Sequence, residues 1–307
     1  MATNANLRNA NAVKHDEFYT PLPDVSKELT HYKKHFKGQT ILCNCDNPTW
    51  SSFWKYFHLN FKTLGLKKLI STYYDKTEPT YKMEYYGGDD NDIEVGVKTS
   101  LEGNGDFRNQ ECLDLMDEAT IIVTNPPFSI AREDFIPTLF EHNKKFLIIG
   151  DLNWVTYKSL FLLLKSNKMW FGYNTVKEFI QPDGTMKKFG NKLWFTNLDI
   201  DKRHEKIILW KNYSKAEYST FDELKDVINV DKVSDIPIDY DGLMAVPITF
   251  LSKFNPDQFE IIDALNRYTV LNYWGINDDV KSRHSHCCNI NGKAKYFRIV
   301  IRRKDGK

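Results

Sequence analysis

Short apolar runs alternate with amphipathic stretches over the first half of the chain, the pattern of βαβ units. Ser26, Leu29, Tyr32 and Phe36 fall in helical rhythm and predict a helix from Pro23 to Phe36, ended by Gly38. Thr40 to Cys45 predicts a first strand. After the Asn47-Pro48 turn, Ser51 or Ser52 can cap an aromatic-rich helix from Phe53 to Leu64. Gly65 closes that helix and Lys68 to Tyr74 predicts a second strand, which implies a parallel sheet with a right-handed crossover. The rhythm then changes. Tyr81 to Tyr85 and Ile93 to Val97 alternate around Gly87-Gly88-Asp89-Asp90-Asn91 as a hairpin would, and Gly103-Asn104-Gly105-Asp106-Phe107 predicts a glycine-rich turn. Ala119 to Thr124 reads as a buried strand, followed by a helix near Arg132 to His142, a strand from Lys145 to Gly150 and a helix from Tyr157 to Ser166.

Beyond Lys168 the runs shorten. Met169 to Tyr173, Leu193 to Leu198 and Lys206 to Trp210 predict strands, Asn255-Pro256 opens a helix expected over Phe254 to Asn266, and Tyr296 to Arg302 predicts a last strand. The expected organisation is a flexible tail over residues 1–14, a doubly wound α/β core over 15–170, and a mixed α+β region over 171–307 that completes part of the sheet.

Chemistry concentrates where the Ala119 to Thr124 strand ends, at Asn125-Pro126-Pro127-Phe128. In an open α/β sheet, ligands collect outside the carboxyl ends of the strands. Each proline fixes its φ and lacks an N–H, so the loop is stiff and its carbonyl oxygens stand free as acceptors. An Asn carbonyl, a backbone carbonyl and an aromatic face together suit a flat molecule with an exocyclic amine, such as a nucleobase. The plainer alternatives are a turn initiated by Asn-Pro and a core-packing Phe.

The composition, 41% hydrophobic and 27% charged over 307 residues, is that of a globular protein with a real core. No stretch approaches the ~18 apolar residues of a membrane span, and Met1 to Asn11, rich in Asn and Ala, lacks the apolar segment of a secretory signal. Cys43, Cys45, Cys112, Cys287 and Cys288 show no disulfide framework and point to free thiols in a reducing, cytoplasmic setting. His284-Ser285-His286-Cys287-Cys288 lacks a second ligand pair at zinc spacing, so no metal is expected. The net charge of +1 hides an asymmetry. Glu84 to Glu118 carries eleven acidic residues against two basic, whereas Lys281, Arg283, Lys293, Lys295, Arg298, Arg302, Arg303, Lys304 and Lys307 face only Asp305 near the end. A basic end on a neutral chain suits a phosphate backbone, although such runs are also ordinary solvated faces.

These residues resemble the adenine-N6 DNA methyltransferases, most closely the EcoRI-type group. The likeness runs over nearly the whole chain, through Asp16-Glu17-Phe18-Tyr19-Thr20-Pro21, Leu42-Cys43-Asn44-Cys45-Asp46, Phe53 to Ile70, Asp106-Phe107, Asn125 to Phe128 and Tyr240 to Phe259. It implies a Rossmann-like S-adenosylmethionine-dependent methyltransferase fold with a mixed α+β target-recognition region. By that resemblance Asn44, Cys45 and Asp46 lie under the methionine part of S-adenosylmethionine and Tyr19-Thr20-Pro21 closes over the same end. Asp106 accepts from the cofactor's adenine, Phe107 packs on that ring, and Tyr73 and Tyr74 lie near the ribose. Two departures stand out. Cys43-Asn44-Cys45-Asp46-Asn47-Pro48 replaces the usual glycine-rich loop, and only Asp75 supplies an acid near the end of the second strand. Asp106, between Gly105 and Phe107, also suits a plain turn.

The expected reaction is site-specific methylation of the N6 amine of an adenine flipped out of double-stranded DNA. The Asn125 side-chain oxygen and Pro126 carbonyl would take the two N6 hydrogens, and Phe128 would stack on the base. Basic residues of the second half would hold phosphates, with Arg267, Arg283 and Asn289 as candidate base readers or simple surface polars. The implied partners are duplex DNA and a cognate restriction endonuclease acting on the same site, with the chain as a monomer and no membrane. Two other readings remain: a methyltransferase of RNA or a protein glutamine, and a catalytically silent DNA-binding protein on the same fold.

Overall fold

The computed structural model describes residues 18–75, 80–181, 183–222, 224–266, 269–270 and 289–304. The tail 1–14, Asp16-Glu17, the His284 to Cys288 cluster, Arg267, Lys281, Arg283, Asp305 and Lys307 lie outside them.

Two compact units form. The first runs to Trp154 and resumes over Phe171–Leu198; the second comprises Val155–Trp170 and the chain from Asp199. In the first, strands β1 (Thr40–Cys43), β2 (Lys68–Thr72), β3 (Tyr81–Tyr85), β4 (Val97–Ser100), β5 (Ile121–Thr124), β6 (Lys145–Asp151), β7 (Trp170–Ile180) and β8 (Met186–Thr196) make one sheet. Their order is β4-β3-β2-β1-β5-β6-β8-β7. β2, β1, β5 and β6 are mutually parallel, while β3, β4 and β8 pair antiparallel to their neighbours. β1 and β5 are buried along their whole length, as strands covered on both faces must be. The chain leaves β1 toward β2 on one side and returns to β5 on the other, so strand order reverses between β1 and β5. A crevice opens at such a switch point.

Helix α1 (Leu22–Leu29) continues into a 3-10 turn, Thr30–Tyr32, and then Lys33–Phe36, in place of the unbroken helix expected to Phe36. Its fully buried Glu28 accepts from the Tyr32 hydroxyl (2.9 Å), the Tyr173 and Asn174 N–H groups and the Asn174 amide (2.8 Å each), which welds α1 to β7. Helix α2 (Ser52–Leu59) is capped by Ser51, whose hydroxyl accepts from the Phe53 and Trp54 N–H groups. Gly65, at φ +64°, ends the short helix that follows.

The hairpin expectation holds for Tyr81 to Tyr85 but misplaces its partner, which is β4 rather than Ile93 to Val97. Trp54 Nε1 donates to the Ile93 carbonyl and His58 Nε2 meets the Val95 carbonyl, both at 2.9 Å, so α2 takes the hydrogen bonds that a strand would need. Helix α3 (Gln110–Glu118) precedes β5. After β5 the expected helix near Arg132 begins as a π-helical turn, Ala131–Phe135, before the α-helix α4 (Ile136–Glu141). β7 and β8 extend beyond the expected Met169 to Tyr173 and Leu193 to Leu198: the first half of β8 is polar and largely exposed, whereas the added half of β7 still buries Val176 and Phe179.

In the second unit, β9 (Val227–Asn229), β10 (Leu243–Pro247), β11 (Phe259–Asn266), β12 (Thr269–Val270) and β15 (Arg298–Arg303) form a sheet ordered β12-β11-β15-β10-β9, while β13 (Asn289–Ile290) pairs with β14 (Lys293–Ala294). Helix α5 (Lys158–Lys165), expected over Tyr157 to Ser166, belongs to this unit. Two expectations fail. The helix over Phe254 to Asn266 is β11: Asn255 Oδ1 accepts from the Asp257 and Gln258 N–H groups, closing a single turn, and the apolar run then pairs with β15. A short apolar run does not by itself distinguish a buried strand from a helix. Lys206 to Trp210 is extended but joins no sheet. The expected last strand is present as β15.

Candidate active site

The loop after β1 turns without glycine. Cys45 itself adopts the left-handed conformation (φ +67°), uncommon for a side chain-bearing residue. The Asp46 N–H then donates to the Thr72 carbonyl (2.8 Å), pinning the loop to the end of β2. The Asp46 carboxylate accepts from Ser51 Oγ (2.9 Å) and Thr124 Oγ1 (2.6 Å). Burial outweighs those hydrogen bonds and the one from the Asn125 N–H, and pushes its pKa up to about 7. Burial, then the neighbouring Asp46, raises the Cys45 thiol well above its ordinary range.

Across the switch point, Thr124 Oγ1 also donates to the Asn44 carbonyl, so the loops after β1 and β5 share one hydroxyl. The Asn125 amide nitrogen donates to the Phe18 carbonyl, which turns Oδ1 the other way. That oxygen is buried with no hydrogen-bond partner among the described residues. A buried acceptor left unmatched is unfavourable by roughly 1–3 kcal/mol, a condition met at sites built for a ligand. Pro127 precedes the turn Phe128–Ile130 and accepts from the Ile130 and Ala131 N–H groups. The π-helical turn follows at once, a feature frequent at functional sites.

The third wall is the glycine-rich turn. Gly105 has φ +75°, and a Cβ there would stand 1.9 Å from the Tyr73 carbonyl oxygen, so only glycine lets this turn approach the end of β2. Arg108 grips Asp106 through Nε to Oδ1 (2.9 Å) and Nη2 to Oδ2 (2.7 Å), which holds that carboxyl below its usual range. Phe107 is buried edge-on to Phe135, with centroids 5.0 Å apart.

These three loops enclose a cavity of about 250 Å³. Of the residues expected at the site, Tyr19, Thr20, Cys45, Asp46, Tyr73, Tyr74, Asp106, Phe107, Asn125 and Pro127 line it. Pro21, Asn44, Pro126 and Phe128 do not: Pro21 is the N-cap of α1, Asn44 and Pro126 are buried, and Asp75 is likewise absent from the wall. Residues unmarked by the sequence complete it, among them Phe18, Trp50, Phe53, Arg108 and Ile130. Tyr19 and Trp50 meet with centroids 3.8 Å apart, and backbone hydrogen bonds between Tyr19 and Ile180 (2.8 Å each way) hold the segment in place. Thr20 Oγ1 is buried in this wall without a partner among the described residues.

Phe128 looks elsewhere. Its ring lies nearly parallel to Phe18 (centroids 6.3 Å, 22°), with Phe179, Phe189 and Trp154 edge-on around it. Lys192 Nζ, on β8, sits 4.1 Å from the centre of the Phe128 ring and 2.6 Å from Asp151 Oδ2. Phe18 joins the two places: its ring faces Phe128, it lines the cavity, and its carbonyl orients Asn125. Phe189 and Lys192 lie far along the chain in a polar-looking strand, and no local pattern could have marked them.

A parallel heart with an antiparallel strand beyond β6, and a cavity at the β1/β5 switch point beside Asn-Pro-Pro-Phe, define an α/β methyltransferase with a Rossmann-like fold. The chain matches the family model described as adenine-specific methyltransferase EcoRI over residues 6–304. It is 40% identical to the type II methyltransferase M.EcoRI of Escherichia coli, with 99% of this chain and 98% of that protein covered. It is 36% identical to M.MgeORF184P of Mycoplasma genitalium and 35% identical to M.MpnI of Mycoplasma pneumoniae, each over 97% of this chain and 98% of the relative. No solved structure matches significantly. The chain therefore belongs to the EcoRI family of adenine-specific methyltransferases, and is an adenine-specific DNA methyltransferase. No helix among the described residues is long and apolar enough to cross a membrane.

Proposed function

We propose that this enzyme methylates N6 of an adenine rotated out of a specific site in duplex DNA, with S-adenosylmethionine as donor. The observation that carries the reading is the buried, unmatched Asn125 Oδ1 at the switch point, left free because the amide nitrogen donates to Phe18. An oxygen in that position accepts one hydrogen of an exocyclic amine, and the Pro126 carbonyl takes the other. Holding both hydrogens favours a pyramidal nitrogen with its lone pair aimed at the methyl donor, so rate comes from positioning and electrostatics. S-adenosylmethionine, when bound, supplies an electrophilic methyl group on a sulfonium.

The residues present fit that cofactor. Thr20 Oγ1 offers a buried, unmatched hydroxyl, Asp46 an acidic group for a cationic ligand, and Phe107, Tyr73 and Trp50 apolar faces for a nucleoside. Asp106 keeps acceptor capacity beside Arg108. Asn44 and Pro21 support the wall from behind. In the target pocket, Phe128 stacks on the base with Phe18 and Phe189 beside it, and Lys192, steadied by Asp151, donates to a ring nitrogen. Residues 171–307 read the DNA, a cognate restriction endonuclease shares the site, and the enzyme works as a cytoplasmic monomer.

The test is transfer of radiolabelled methyl from S-adenosylmethionine to unmethylated DNA, with mapping of modified bases. N6-methyladenine in one short motif is expected. Methylation of RNA or a protein glutamine with none of DNA would sink the proposal, as would DNA binding without turnover.

A further inference from the structure

The second unit exposes an apolar row whose backbone is pinned in place. Along Lys206 to Asn212 exposure alternates: Lys206, Ile208, Trp210 and Asn212 face solvent, while Ile207, Leu209 and Lys211 are half-buried. The inward positions carry the anchors. The Ile207 N–H donates to Gln258 Oε1 (2.7 Å) and its carbonyl accepts from Gln258 Nε2 (2.8 Å). Lys211 bridges to Pro237, its carbonyl accepts from the Ile238 N–H (2.8 Å), and the Tyr213 N–H reaches Asp239 Oδ1 (2.6 Å). Gln258 is buried, so this clamp is part of the core.

The row is therefore held extended with its outward side chains presented, Ile208 at 86% and Trp210 at 67% exposure, and Ile238 on the neighbouring stretch at 44%. Single exposed apolar residues are ordinary on a protein surface; two in register on one clamped segment, beside a third, are not. The flanks are cationic. Lys202, Arg203, Lys206 and Lys215 stand against Glu205 within residues 202–215, while the inward Lys211 pairs with Glu217 (3.0 Å).

We infer that this row is a DNA-contacting element, with Ile208 and Trp210 packing on the apolar surface of the base pairs while the flanking lysines face phosphates. Duplex DNA offers apolar surface in two places, the thymine methyl in the major groove and the faces of an unstacked base step. Both suit a narrow extended segment, and cationic flanks suit the polyanionic backbone of DNA better than a basic or neutral partner. The inference rests on the methylation reading above and adds residues that none of the family motifs contains.

The experiment compares wild type with Trp210→Ala, Ile208→Ala and Trp210→Phe, all at exposed positions where folding is little affected. Wild-type methylation of DNA tests the underlying reading by itself. Given that, Trp210→Ala should raise KM for DNA about tenfold, the scale of one lost aromatic–base contact, with KM for cofactor unchanged and Trp210→Phe recovering most of the loss. Replacing thymine by uracil around the site separates the two sources. A loss in wild type that vanishes in Trp210→Ala assigns the methyl groups, and tighter binding to a duplex with an abasic gap assigns the base faces. Equal DNA affinity of wild type and Trp210→Ala on every duplex would overturn the inference. So would concentration-dependent self-association that Trp210→Ala abolishes, which gives the row to a second copy of the chain.

Discussion

The loops after β1 and β5 stand side by side at the same sheet crevice, yet one is built around a buried acid and the other around two prolines. In the β1 loop the acid is fully engaged, since Asp46 takes two hydroxyls and a backbone N–H and its own N–H is fixed to Thr72, while Asn44 Oδ1 is buried without a partner among the described residues. Its stress is in the backbone, at Cys45, and in a buried carboxyl that ionises only near neutrality. The β5 loop is relaxed in backbone terms, with prolines where φ suits them, and it leaves an acceptor unmatched at Asn125. A ligand held for its positive charge needs an acid fixed in place, as Asp46 is. A group held by its hydrogens needs a vacancy in the hydrogen-bond pattern.

That contrast breaks most sharply at Asn125. Asn125→Ala removes the acceptor and should lower kcat by about 10²–10³-fold, the scale for one preorganised polar group, while cofactor affinity measured by titration stays near wild type. Loss of cofactor binding instead would erase the division of labour between the loops. Phe128→Ala should weaken the hold on the flipped base by about 1–3 kcal/mol, read as lower fluorescence of 2-aminopurine at the target position and a higher KM for DNA.

On the β1 side the signature is in pH. Asp46 binds its proton more tightly folded, with a pKa of about 7 against an ordinary value near 3.8. Its contribution to stability is thus complete below about pH 4 and is lost as pH rises through 7. Urea unfolding between pH 5 and 8 should show wild type losing on the order of 1–3 kcal/mol relative to Asp46→Asn. Parallel curves for the two proteins would mean the carboxyl is already ionised in the fold. The smallest effect belongs to Cys45. Cys45→Gly should move stability by no more than about 1 kcal/mol, relief of the left-handed backbone offsetting the entropy of glycine. Cys45→Val should destabilise by about 1–3 kcal/mol, both read from urea midpoints at constant slope.

The same two loops mark what the sequence discloses. Each follows an apolar strand directly, so strand, loop and helix are contiguous and their chemistry could be read in order. Gly105, too, announced a tight turn, although not the Tyr73 carbonyl that makes it necessary. What stayed hidden was brought in from a distance or settled by competition. Phe189 and Lys192 reach Phe128 only because β8 returns antiparallel beside β6. Ile93 and Val95 look like a strand until Trp54 and His58 claim their carbonyls. Phe259 to Asn266 has a composition open to either helix or strand, and β15 decides it. Arg108 was adjacent to an expected site residue, yet its grip on Asp106 depends on a turn geometry that residue order does not state.

The hydrogen bond from Asn125 to the Phe18 carbonyl spans 107 residues, and those of the Thr124 hydroxyl to Asn44 and Asp46 span 80 and 78. Closing such long loops costs more chain entropy than forming local helices or hairpins. Competence for the reaction thus hangs on a segment far from the motif, because Phe18 fixes which end of the Asn125 amide is left free.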